Sequence, residues 1–193
     1  MSHIKLSHIN ILPLAVVLFF ISGCCTPDAN VGSQNMVSTD QHQSNWCWAA
    51  SGEMTMEFLG ATIDQCDEAN KEFGRTDCCN TPTPSVCNDG GWPEFDKYGF
   101  KADHTTDAAL SWDEVKRQIY CHKVPFCNTW HWSGGGGHMM VISAYSVING
   151  VSYVYLRDPL PVGTGSSRWI TYDAYVSGSG YTHWDDYYNI AKK

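Results

Sequence analysis

The chain has 193 residues, of which 43% are apolar and 13% aromatic, enough non-polar material for one ordinary globular domain. Its formal charge is -8 and it contains no Lys/Arg cluster, which argues against nucleic acid as a partner and against electrostatic docking on an anionic membrane.

Residues 1–23 read as a leader: Lys5 gives a weak positive start, and an apolar run over 11–21 is too short to span a bilayer but suits a secretory signal. The junction Ile21-Ser22-Gly23-Cys24 resembles the lipobox of bacterial lipoproteins. That resemblance implies lipidation at Cys24 and export to the bacterial cell envelope, anchored or secreted; the alternative is a plain signal peptide ending in Cys-Cys. Residues 24–37 are polar, with Pro27, Gly32 and Asn35, and are expected as a tether to a folded domain over 38–193.

The spacing of Trp48, Ala49, Met54, Met56, Phe58 and Leu59 predicts a first helix from about 45 that stops at Gly60. A second is expected from an Asp64 cap to Gly74, a third over 93–99 with Pro93 in its first turn, and a fourth from the capping-box pattern Ser111-Trp112-Asp113-Glu114 to about Tyr120. Aromatic and β-branched residues then predict strands over 124–132, 139–148, 151–157, 168–176 and 181–190. Asn149-Gly150 between two apolar runs marks a hairpin. The chain is therefore helical first and β second.

An exported chain carries its cysteines into an oxidising compartment, so disulfides are expected. Cys24 is assigned to lipid; if Cys25 is also unpaired and Cys47 is reserved, the candidates are Cys66, Cys78, Cys79, Cys87, Cys121 and Cys127. Their connectivity stays open, except that adjacent Cys78 and Cys79 do not pair easily. A zinc site on Cys78, Cys79, Cys87 and a histidine is the weaker alternative, because no C-x-x-C pair is present, and no metal is expected.

Cys47, in Gln41-His42-Gln43-Ser44-Asn45-Trp46-Cys47-Trp48-Ala49, stands where loop becomes helix, and the free N–H groups there stabilise a thiolate. Gln followed six residues later by Cys-Trp-Ala at a helix start resembles the papain-like cysteine proteases. The resemblance implies a two-lobed α+β papain-like fold, with a helical N-terminal half and an antiparallel β-sheet or barrel in the C-terminal half. It also implies Cys47 as nucleophile, and Gln41 with the Cys47 backbone N–H as oxyanion hole. His138 follows the glycines 134–137 at a strand start and takes the place of the general base. His42 is too near Cys47, His104 and His122 are expected in or beside helices, and His131 and His183 are flanked by tryptophan. Asp158, in Leu156-Arg157-Asp158-Pro159, takes the place of the third member, which orients the imidazole. The Asp-Pro pair and the segment 78–93 resemble the compact bacterial members, the staphopain-like and plant-pathogen avirulence-effector proteases.

Geometry tests that assignment independently. With a strict two-residue turn Ile148 faces Val151, so Asp158 lies opposite Val141, an odd number of residues from His138 and on the wrong face. The hairpin must therefore contain a bulge or a longer loop, for instance over 147–152. The implied activity is hydrolysis of a protein or peptide substrate by a monomer through a covalent thioester, without cofactor. A transglutaminase, a peptidoglycan hydrolase of the same fold and an inactive anchored binding module are the alternatives.

Overall fold

A computed structural model describes residues 25–31 and 35–193; the leader and Cys24 lie outside the described residues, so the signal peptide and the lipidation site are not among them. The described chain packs a helical half against a seven-stranded antiparallel sheet. Helix α1 (Cys47–Phe58) and α2 (Gln65–Phe73) come first, α2 running between Asp64 and a left-handed Gly74. Strands β1 (Phe100–His104), β2 (Phe126–Trp132), β3 (Gly137–Ile148), β4 (Val151–Asp158), β5 (Ser166–Thr171), β6 (Ser177–Gly178) and β7 (Tyr181–Lys192) follow. The order across the sheet is β1-β7-β2-β3-β4-β5, with β6 beside β7. Among the described residues no helix is long and apolar enough to cross a membrane.

The sheet is buried on both faces, which explains why β3 reads as a continuous apolar run rather than an alternation. Met139 and Val141 pack with Trp46, Trp48 and Met54 under α1, whereas Met140 and Ile142 join Val115, Ile119 and Tyr175 on the other side. Val115 belongs to α3 (Trp112–Lys116), and Tyr175 to α4 (Tyr172–Val176). Each fully buried side chain of this size contributes about 1.5–3 kcal/mol.

Local differences from expectation have local causes. The expected helix over 93–99 is a 3₁₀ turn, Phe95–Tyr98, ended by Gly99 at φ 79°. The capping box at Ser111 is present, but α3 runs into a π turn, Arg117–Cys121. The strand expected over 168–176 ends at Thr171, whose hydroxyl accepts from Ala174 N–H and caps α4; that local bond overrides the β preference of Tyr and Val. His104 lies on β1, an edge strand whose polar alternation carried no apolar signal.

Among the described residues the disulfides are Cys25–Cys121, Cys66–Cys79 and Cys78–Cys87. Two corrections follow. Cys25 is paired, and Cys127 is a free, buried thiol in β2 whose sulfur faces Ser51 O and Thr55 Oγ1 of α1 rather than another cysteine. The cysteines of the zinc alternative are oxidised in pairs, leaving no thiolates to ligate. Part of the segment expected as a tether is fastened to the domain: Cys25 is cross-linked to Cys121, Val31 pairs with Tyr145 through backbone bonds of 2.9 and 3.3 Å, and Met36 is buried.

Candidate active site

Cys47 is the first residue of α1, and no side chain caps that terminus, so its first-turn N–H groups are left without an intrahelical or side-chain partner. The loop that delivers it is braced on several sides. The Trp46 and Trp48 indoles donate to Cys87 O (2.6 Å) and Asp89 O (3.1 Å), Asn45 makes two bonds to Asn88, and Gln41 N–H donates to Pro159 O at 2.9 Å. The last bond ties the approach to Cys47 directly to the residue after Asp158.

Asn149 (φ 51°) and Gly150 (φ 79°) form a two-residue turn, and Ile148 pairs with Val151. The required irregularity lies further along, at Ser143: Ile142 pairs with Leu156 but Ala144 with Tyr155. The extra residue brings Arg157 opposite Val141 and Asp158 into line with Met140, two residues from His138 and on the same face. Arg157 donates from Nε to Ser143 Oγ at 2.9 Å and also to Ser38 Oγ, so the bulge is held by the residue next to Asp158.

His138 Nε2 and Asp158 Oδ1 stand 2.7 Å apart, and the Cys47 side chain is the second group that acts on the imidazole, Cys47 and His138 both lining one cleft. With Nε2 engaged, Nδ1 is the nitrogen left for sulfur. Burial by itself depresses the His138 pKa, but the Asp158 and Cys47 partners outweigh it and push it to about 9. Burial likewise works against the Asp158 carboxylate; bonds from His138, Leu160 N–H (3.0 Å) and Arg168 (3.0 Å) nevertheless hold its pKa below the usual carboxylate value. Trp132 stacks on the His138 ring, 6.2 Å between centroids with planes 18° apart, covering its face. A carboxylate–imidazole pair beside a thiol is an arrangement that can support acyl transfer.

A cleft of about 610 Å³ contains Cys47 and His138 and is walled by Trp48, Trp92, Trp132 and Trp184. Gln41 is not among its walls. It is fully buried, and its amide N–H groups donate to Gln43 O (2.8 Å) and Ser44 O (2.7 Å). In this structure the glutamine therefore secures the loop entering α1 instead of facing the cleft, with both amide N–H groups engaged. His131 meets Trp184 edge to face at 5.1 Å, while His183 is buried against Asp186 at 3.1 Å, away from the thiol. Arg168 and Trp132 were not read from sequence, because each reaches the site from a neighbouring strand whose register no local pattern encodes.

A family model described as the Peptidase_C39-like family matches residues 33–191. Among solved structures, a chain from a study of antibody cross-reactivity between the mite allergens Blo t 1 and Der p 1 superposes with a TM-score of 0.56 at 13% identity, covering 88% of this chain and 73% of that one. No curated protein matches the sequence. The match over most of its length and the architecture above agree: the chain belongs to the Peptidase_C39-like family and is built as a cysteine peptidase of papain-like fold.

Proposed function

We propose that the protein is an endopeptidase that hydrolyses peptide bonds through a thioester acyl-enzyme on Cys47. The thiolate attacks the substrate carbonyl and the Cys47 N–H, at the positive end of α1, stabilises the oxyanion. His138 passes a proton to the leaving amine, then takes one from the water that releases the acid product. Asp158 holds the imidazole in the tautomer and orientation that each transfer needs. The observation that carries this reading is the imidazole of His138, bonded to Asp158 at 2.7 Å and sharing one cleft with Cys47, whose side chain acts on its charge.

The lipobox-like junction extends the reading to an exported bacterial enzyme held in the cell envelope through acylated Cys24; the three disulfides suit an oxidising compartment. Incubation of the purified protein with labelled casein and a fluorescent amine tests the chemistry. New peptide ends, lost in Cys47→Ala, are expected. Amine incorporation without new ends would instead mean acyl transfer to amines, and release of muropeptides alone would mean a cell-wall hydrolase.

A further inference from the structure

Glu72 is a carboxyl group in the same cleft as Cys47, and neither the thiol chemistry nor the fold accounts for it. Its position is fixed by Gly91: a Cβ there would stand 2.8 Å from Trp48 Cε2 and 3.0 Å from Glu72 Cγ, so the indole and the glutamate stem close together over this glycine. On the far side, a Cβ on Gly137 would stand 2.9 Å from Trp184, and Trp184 meets Trp92 edge to face at 5.1 Å. An aromatic floor thus runs from Gly137, beside His138, through Trp184 and Trp92 to Gly91, and ends at a carboxyl group.

Asp89 and Glu72 both line the cleft, and His138 is its one cationic lining residue. The nearby Lys97 is already bound to Glu94 at 2.6 Å and to Lys71 O at 3.3 Å. Glu72 is half-buried beside Glu94; burial first, and then this neighbouring carboxyl group, raise its pKa to about 7. The cation that acts on it, Lys97, is committed to Glu94, so Glu72 faces the cleft without an ion pair of its own.

We propose that the cleft selects a substrate with a lysine or arginine near the scissile bond, its stem lying on the Trp92–Trp184 floor and its head paired with Glu72. This rests on the peptidase reading for turnover but not for binding. Such a cation gains from the aromatic faces as well as from the carboxylate, and its charge takes the place of the proton that Glu72 holds more tightly than an ordinary carboxyl group.

The test uses peptide mixtures in which one position is Lys, Arg, norleucine or Glu, measured for binding to Cys47→Ala and for turnover by the wild type. At one position, Lys or Arg should bind at least about tenfold tighter than norleucine. That ratio should fall towards one in the Cys47→Ala/Glu72→Gln double variant. In the single Cys47→Ala variant it should rise between pH 6 and 8, a readout that does not depend on the double variant folding. Equal binding of Lys and norleucine at every position, or a preference that survives both Glu72→Gln and acidification, overturns the proposal even if peptides are cut. Selective binding without turnover supports it while overturning the peptidase reading.

Discussion

His138 Nε2 and Asp158 Oδ1 lie 2.7 Å apart across a hairpin whose ladder slips by one residue at Ser143, between the turn and the pair. Without that slip the two side chains project from opposite faces. One extra residue in β3 therefore decides whether the imidazole has a carboxylate partner.

Asp158→Asn should shift a pH profile in a definite direction. In the folded protein the His138 pKa is raised to about 9 from an ordinary value of 6.5, so its proton is held more tightly than in the unfolded chain. The stabilisation is fully present below pH 6.5 and is lost as pH rises through 9. In Asp158→Asn the buried ring loses its proton at lower pH. The alkaline limb of Cys47 alkylation should move down, and the fall in melting temperature between pH 6.5 and 9.5 should shrink, as thiol-labelling kinetics and calorimetry will show.

Deleting Ser143 restores a regular ladder and turns Asp158 away from His138, whereas Ser143→Gly keeps the extra residue. The deletion should reproduce the pH shift of Asp158→Asn, and the glycine variant should retain the wild-type profile. The glycine variant also loses the acceptor of Arg157 Nε, a buried bond whose removal costs about 1–3 kcal/mol and should appear in denaturant titration.

Thiol accessibility distinguishes the two unpaired cysteines among the described residues. Cys47 is partly exposed in the cleft, while Cys127 is buried and its pKa is raised to about 12 by burial. A native-state thiol titration should find one reactive group, with Cys127 appearing only on unfolding. Cys25→Ser/Cys121→Ser opens a loop with a sequence separation of 96 and should lower stability by roughly 4 kcal/mol, more than loss of Cys66–Cys79 with its separation of 13.

Gln41→Ala separates bracing from direct catalysis. Because both amide N–H groups bond the loop before α1, the variant should lose melting temperature and activity together. A wild-type melting temperature with kcat reduced about 10²–10³-fold would restore the oxyanion role.

Much of the site was legible because it is encoded in short motifs: a cysteine at a helix start, a histidine after glycines, an aspartate before proline. Helices α1 and α2 and the hairpin carried strong local signals in apolar spacing, capping and Asn149-Gly150. The bulge was legible as a necessity but not as a position, since Ser143 sits in an apolar run with nothing to mark it. The Cys25–Cys121 bridge and the isolation of Cys127 depend on which strand faces which helix, a tertiary matter that spacing does not report. Gln41 shows the same limit: its distance from Cys47 is a motif, but the direction of its amide is set by the carbonyls of Gln43 and Ser44.

The most direct test of the account is the rate at which an epoxysuccinyl inhibitor such as E-64 modifies the native protein, read by intact-mass and peptide mass spectrometry. One adduct on Cys47 is expected, absent in Cys47→Ala and formed about 10²-fold or more slowly in His138→Ala. No adduct, or a Cys47 adduct whose rate is indifferent to His138, would contradict it.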